Sequence, residues 1–446
     1  MISRFSRIAL TSVALFGALR LVAEPAPAQP VPDTLDLPTT LRYALDNNFA
    51  IRQAKERIRQ QEGVVLEVRA QQLPFVGVGA GYQRNDKDIA QTMPQDDSAW
   101  NIQIQASQAL YAGGGIKSSV ASANLVKEAA VLELQSVVNN ALLEVRVRFY
   151  NVLLARESIK VREQSVELLK EQLQNARNRF EAGASSSFEV LRAEVALANA
   201  QPALIQARNA FRISIEELRQ SLGYTNKEGT NLNKVPEFVG DLSFEPTSFD
   251  LQSSLESARL NRPELSRLAK IESAREQGIT IARSTYYPSV DAVAGYQWRK
   301  TGTSDRFGDA AHGWLVGLQS QWSIFDGRAT AGRVIQARSA LAQAQLSTDE
   351  AELAVDVEVR RALSSLQEAQ ELADASGKVV SQAEEALRLA TVRQTAGTAT
   401  QLDVLTSQVD LTQARNNQLQ ANYNYLVALA QMKRAVGQAD VYSSSN

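Results

Sequence analysis

Residues Trp100-Asn101-Ile102-Gln103-Ile104-Gln105-Ala106-Ser107 alternate apolar and polar side chains without a break. A period of two sends the two sets to opposite faces of an extended strand, so this strand separates two different environments. The alternation returns later, with Trp314, Val316 and Leu318 on one face and Gly317, Gln319 and Gln321 on the other. A weaker run of the same period precedes each: Val76, Val78, Ala80 and Tyr82 before the first, and Val290, Ala292, Ala294, Tyr296 and Trp298 before the second. The pattern predicts two strand hairpins, over 74–111 and 288–325.

The hairpins belong to a tandem repeat. Gly79-Ala80-Gly81-Tyr82-Gln83 matches Val293-Ala294-Gly295-Tyr296-Gln297, a shift of 214 positions between Gly81 and Gly295. Asn47 and Asn261, Pro74 and Pro288, Trp100 and Trp314, Gly113 and Gly327, Arg179 and Arg393, Gly183 and Gly397, and Gly223 and Gly437 keep the same shift. A constant offset over that length means one unit used twice with no net insertion. The expected organisation is a first repeat over 29–223, a linker over 224–250 containing Asn, Gly and Pro, a second repeat over 251–437, and a tail over 438–446.

Around each hairpin the period becomes helical. Thr39 to Leu73 is rich in helix formers and stops at Pro74. A long helix is expected over 115–180 and again over 329–394, each spanning roughly 100 Å at about 1.5 Å per residue. Its apolar positions Val138, Leu142, Val145, Phe149 and Val152, then Val166, Leu169, Leu173, Ala176 and Phe180, alternate spacings of three and four, as coiled coils do. A glycine turn follows at 181–187 and at 395–401, then a shorter helix over 188–222, kinked by Pro202, and over 402–436. Two short helices equal one long one, so the short pair is expected to lie end to end beside it. The hairpin then marks one pole, the glycine turn the other, and the linker gathers at mid-height.

Composition narrows the function. The formal net charge is -2, which gives no basic surface for nucleic acid. The chain has no cysteine, which excludes disulfides, thiolate metal sites and catalytic thiols together. Arg4 and Arg7, an apolar run from Ile8 to Leu19, and Ala26-Pro27-Ala28 read as an export signal over 1–28. No stretch is apolar enough for a membrane helix, so any membrane crossing must use strands.

Four strands cannot close alone, because an isolated bacterial barrel needs at least about eight and an open edge cannot sit in lipid. Three copies pool twelve. The expected fold class is therefore mixed α and membrane β: four barrel strands and long coiled-coil helices per chain in two tandem repeats, forming a homotrimeric twelve-stranded β-barrel continued by an α-helical barrel. Tyr82, Trp100, Tyr296, Trp298, Trp314 and Trp322 stand where an aromatic girdle meets outer-membrane lipid. Asn85 to Ser98 and Lys300 to Gly313 become external loops.

Taken together, the chain resembles the TolC family of outer-membrane efflux proteins across its whole mature length. The carriers are the duplicated helix-hairpin-helix-helix plan, the openings Leu41-Arg42-Tyr43-Ala44-Leu45-Asp46-Asn47-Asn48 and Leu260-Asn261-Arg262-Pro263-Glu264-Leu265, and the post-strand segments Leu110-Tyr111-Ala112-Gly113-Gly114 and Ile324-Phe325-Asp326-Gly327-Arg328. The turns Arg179-Phe180-Glu181-Ala182-Gly183, leading to Glu189-Val190-Leu191, and Arg393-Gln394-Thr395-Ala396-Gly397, leading to Asp403-Val404-Leu405, look like the family's periplasmic tip motif.

The resemblance implies a passive exit duct in the outer membrane that reaches across the periplasm, serving tripartite efflux or type I secretion. It also implies a periplasmic adaptor and an inner-membrane transporter docking at the tip, on Arg179, Gly183, Val190, Leu191, Arg393, Gly397, Val404 and Leu405. Asp403, with Glu189 as its first-repeat counterpart, falls where the family narrows its entrance with acidic side chains. The plain reading of Asp403 is an ordinary acid in a helix's first turn. Some members carry a second acid one turn on, where Thr406 stands here.

No catalytic residue, cofactor site or metal site is expected. The one histidine, His312, is placed in an external loop, and Gly113-Gly114-Gly115 lacks the Gly-Lys-Ser of a phosphate cradle. Three methionines and one histidine give no ladder for copper or silver. The rival reading is an exported trimeric coiled-coil stalk or adhesin without a pore, which should dissolve without detergent.

Overall fold

The computed structural model describes residues 34–84, 86, 98–224, 235–300 and 307–438. The expected export signal, most of the first external loop and all but the first residue of the tail lie outside them. Helices run α1 Leu37–Asn47, α2 Phe49–Ala70, α3 Gly115–Glu181, α4 Ser187–Ser221, α5 Leu251–Asn261, α6 Pro263–Arg283, α7 Ala329–Thr395 and α8 Gln401–Ala435. Strands are β1 Thr34–Leu35, β2 Phe75–Arg84, β3 Ser98–Ala112, β4 Glu237–Phe238, β5 Ser289–Arg299 and β6 Ala311–Gln321. Both α3 and α7 have 67 residues, and both α4 and α8 have 35.

The entering helix, expected to be continuous, is broken in both halves. Asn48 ends α1 and caps α2: its Oδ1 accepts from the Ala50 and Ile51 amides, and its Nδ2 donates to the Ser221 carbonyl at 2.7 Å. A buried Asn thus satisfies three backbone groups at a helix end, which local propensity does not reveal. In the second half the break falls at Arg262, because Pro263 forbids a helical residue before it. Conversely, Pro202 sits inside α4 without ending it. His312, expected in a loop, lies in β6 opposite Trp298, since the strand begins at Ala311.

Two apolar clusters sit at the middle of the long helices. Leu142, Val145, Phe149 and Val152 of α3 pack with Leu41, Leu218 and Phe238 in the first half. Val355, Val359, Leu366 and Ala369 of α7 pack with Leu255, Tyr425 and Met432 in the second. Fully burying such a side chain contributes about 1.5–3 kcal/mol, so these belts anchor helices whose remaining length is mostly one-sided. Of the ten apolar positions read from α3, eight are buried, while Val138 packs at the cluster's edge and Phe180 is exposed.

The linker is stapled to these belts. β1 pairs with β4 in parallel, placing Leu35 beside Phe238. Phe238 meets Phe149 edge-on at 6.3 Å between centroids, and Phe244 meets Tyr425 at 4.8 Å. Tyr425 also donates its hydroxyl to the Glu245 carbonyl. The four longer strands form one antiparallel sheet in the order β2-β3-β5-β6, leaving β2 and β6 as edges.

Candidate functional site

The sheet register sorts every side chain to a face. Tyr82 lies opposite Trp100, Ala80 opposite Ile102 and Val78 opposite Ile104. Ile102 in turn opposes Trp298 and Ile104 opposes Tyr296. Tyr296 opposes Trp314, and Ala294 opposes Val316. Directly opposed residues share a face, so the apolar sets of all four strands merge into one surface. The other face carries Gly79 against Gln103, Gln103 against Gln297 and Asp291 against Gln319. On the apolar face Val78 is 73% exposed and Trp314 78% in the single chain. An uncovered apolar face of this extent is a surface for lipid or protein.

The six aromatics of the expected girdle separate into two rims. Tyr82, Trp100, Tyr296, Trp298 and Trp314 lie toward the sheet end remote from the helices, where Tyr296 and Trp298 touch at 4.7 Å and Trp100 stacks on Phe307 at 5.4 Å. Trp322 lies beyond the end of β6, beside the helices, and donates its indole N–H to the Tyr286 carbonyl. Eight residues separate Trp314 from Trp322, about 27 Å along a strand or roughly 20 Å along the axis at a tilt near 40°, which fits within the roughly 25 Å apolar band of an outer-membrane barrel.

Sequence reading missed the partners of Trp322 at this second rim. A bulge between Ala109 and Tyr111 shifts the β3 register so that Tyr111 opposes Val290, and Val290 opposes Ser320. Strict alternation would have turned Tyr111 to the polar face, and the extra residue, Leu110, returns it to the apolar one. A break in the alternation after Ser107 is the signal that pointed there.

At the opposite pole the two glycine turns share one backbone pattern. Gly183 has φ of +69°, and the Ala184 amide donates to the Arg179 carbonyl at 2.8 Å. Gly397 has φ of +76°, and the Thr398 amide donates to the Arg393 carbonyl at 2.8 Å. This is how a left-handed residue closes a helix C-terminus. A Cβ at either glycine would find no atom within 4 Å, so both turns face open space.

The expected docking residues divide. Arg179, Gly183, Leu191, Arg393 and Gly397 are exposed, and Val190 is half-buried against Leu173, Ala176 and Ala193. Val404 and Leu405, read as part of the docking surface, are buried at 1% and 6% exposure. They support the turn from inside because α8 directs them toward its neighbouring helices rather than outward. A polar seam also ties α8 to α3: Gln408 Nε2 donates to the Ser165 carbonyl, Thr412 Oγ1 to Ser165 Oγ, and Arg415 to Gln164 Oε1. Its residues carry no motif and were not singled out from sequence.

Asp403 is exposed and Glu189 half-buried, and the two are differently held. The Asp403 carboxylate accepts from the backbone N–H and the hydroxyl of Thr400, each at 2.8 Å, while the Asp403 amide donates back to Thr400 Oγ1 at 3.3 Å. This reciprocal capping box starts α8. Hydrogen bonds from the Thr400 backbone and side chain, helped by the positive charge of Arg393, hold the Asp403 carboxyl below its ordinary value. Ser186 makes no side-chain cap in α4, where Glu189 occupies the position of Asp403. Among the described residues no group of three His, Cys, Asp or Glu is placed to hold a metal, and no helix is long and apolar enough to cross a membrane.

The family model described as Outer membrane efflux protein matches this chain twice, over residues 40–224 and 254–438. Protein CyaE of Bordetella pertussis is 26% identical over 361 residues, covering 79% of this chain and 75% of its own length. Outer membrane protein TolC of Vibrio cholerae is 22% identical over 376 residues, covering 84% of each. The solved outer-membrane channel OprN superposes with a TM-score of 0.76 at 20% identity, over 90% of each chain.

Proposed function

Because this chain belongs to the outer membrane efflux protein family, we propose that three copies of it form the exit duct through which an inner-membrane transporter drives its substrates out of the cell. Members of this family are transport channels rather than enzymes, and the chain's place is the outer membrane, extending into the periplasm. The comparisons give no support to a pore-less stalk or adhesin.

One observation carries the trimer: a sheet with one continuous apolar face, a second face that carries Asn101, Gln103, Gln297 and Gln319, and two open edges, β2 and β6. Lipid tolerates neither open edge, and β6 of one copy meets β2 of the next until twelve strands close a barrel with the polar face inward. Below it the long helices continue the bore as an α-helical barrel. Exposed apolar side chains on those helices, such as Ile205 on α4 and Leu346 and Leu353 on α7, then find partners in neighbouring copies.

The tip is the docking pole. Gly183 and Gly397 leave the turns bare, so a helical hairpin of a periplasmic adaptor approaches the backbone there, flanked by Arg179, Arg393, Leu191 and the edge of Val190. Val404 and Leu405 act from beneath. Three copies of Asp403, with Glu189 nearby, ring the periplasmic entrance and favour cations, and the capping box keeps that carboxylate ionised and fixed in place.

Purified protein tests the reading. Mature chain extracted in detergent should run as a heat-modifiable trimer and conduct ions in planar bilayers. A monomer that stays soluble without detergent and never conducts would overturn it.

A further inference from the structure

We propose that Asp291 is a second charge-selectivity determinant of the duct, lying inside the β-barrel and far from the periplasmic entrance. This rests on the trimeric-barrel reading above. The register alone identifies the residue: Asp291 opposes Ala109 on β3 and Gln319 on β6, and belongs to the polar set that turns into the bore.

What makes the residue matter is its neutral surroundings. The bore-facing positions of β3 from Asn101 to Ala109 carry amides, a hydroxyl and a methyl, and those of β6 from Ala311 to Gln321 carry no charge. On the edge strand that a neighbouring copy contributes, β2, they are Phe75, Gly77, Gly79, Gly81 and Gln83. Closure therefore brings no cation beside Asp291. Among the described bore-facing strand positions, Arg299 is the other charged side chain, at the far end of the same strand. Eight residues separate them, about 27 Å along the strand and roughly 20 Å along the axis at a tilt near 40°. That exceeds the Debye length of about 8 Å at physiological ionic strength, so the two rings act separately there.

Three symmetry-related carboxylates make a field rather than an ion-binding site. Twelve strands spaced about 4.8 Å apart and tilted near 40° enclose a bore of roughly 12 Å radius. At that radius three charges in water alone enrich cations on the axis about threefold when the Debye length is about 30 Å, in 0.01 M salt, and the opposing Arg299 ring, no longer screened, lowers this to about twofold. The factor falls to about 1.5 in 0.15 M salt. The contribution is therefore legible at low salt, where it adds to whatever the entrance supplies.

The test is the reversal potential of reconstituted trimers across a KCl gradient, recorded around 0.01 M and again near 0.15 M. D291N, isosteric with the native residue, should lower the potassium-to-chloride permeability ratio several-fold at low salt and only slightly at high salt, and D291K should shift it toward chloride. The same loss should appear in a D403N background, which removes the Asp403 charge from the entrance. An unchanged ratio in D291N and D291K trimers at low salt would overturn the assignment of Asp291 while leaving the duct intact. Absence of conductance in native trimers would instead bring down the barrel reading and this inference with it.

Discussion

Gly223 and Asn47 meet so closely that a Cβ on Gly223 would stand 2.3 Å from the Asn47 carbonyl oxygen. Gly223 also has φ of +73°. The end of α4 is thereby pressed onto the α1–α2 break, where Asn48 donates to the Ser221 carbonyl. Gly183 shares the left-handed backbone, but its Cβ would meet nothing. G223A should therefore lose about 3–5 kcal/mol through steric conflict with backbone added to strain, whereas G183A should lose only the left-handed cost of about 1–2 kcal/mol. Thermal unfolding of the two variants checks the order, and equal losses would contradict it.

Bulk at the tip separates assembly from transport. G183W and G397W should still yield trimers, because space is open at both sites. Transport should fall toward the level of a deletion strain if a partner's backbone must come close there. Trimer yield by gel and drug accumulation in cells read the two properties, and unimpaired transport by both variants would count against docking at these turns.

The capping box predicts an acid-sensitive tip. The Asp403 carboxyl is held below its ordinary value of 3.8 by hydrogen bonds from Thr400. A group whose pKa is lowered on folding stabilises the folded state above its unfolded value and loses that contribution as pH falls through the folded one. Amide protection in the first turn of α8 should therefore be full above about pH 4 and decline below it. T400A, which removes one partner, should cost about 1 kcal/mol near neutral pH and blunt the acid step. Hydrogen exchange across pH 2–6 follows both, and an acid step of undiminished size in T400A would refute the account.

Adjacent residues on β3 test the faces of the sheet. Ile104 opposes Val78 and Tyr296 in the apolar set, while Gln103 opposes Gly79 and Gln297 in the polar one. I104R places a charge in lipid near mid-span and should cost about 2–4 kcal/mol, and Q103R, turned to water, should be close to neutral. Yield of folded trimer and its unfolding in detergent and urea distinguish them. A milder I104R than Q103R would reverse the assignment of lipid and bore, and with it the role given to Asp291.

How much of this was legible from sequence depends on how local each determinant is. The alternation from Trp100 to Ser107 and the three-four spacing from Leu142 to Ala176 set strand faces and helix seams, because burial imposes the period directly. The break at Asn48 was hidden, since its cause is a carbonyl at Ser221, 173 residues away. The docking set was read too broadly at Val404 and Leu405, because a motif marks a turn without saying which side neighbouring helices will cover. Trp322 was read with the other five aromatics without division into rims, because the number of residues between rims becomes visible only once the ends of the strands are placed.

The belt of the second half rests on a buried charge whose neutralisation has a preferred order of loss. Arg262 is 4% exposed and donates to Glu358 at 2.6 Å, while Glu358 also pairs with Arg434 and Glu264 lies 3.6 Å from the Arg262 guanidinium. E358A removes the shared acid and leaves Arg262 buried with only the longer contact to Glu264, which should cost about 2–4 kcal/mol after allowing for the solvent that reaches Glu358. R262M removes the buried charge itself, fills a similar volume and leaves Glu358 paired with Arg434, so its cost should stay within about 1–1.5 kcal/mol. Ordinary counting of ion pairs predicts equal damage from either change. Urea unfolding of the two variants decides between these views, and a larger loss in R262M than in E358A would show that Arg262 stabilises the belt by attraction rather than merely requiring compensation.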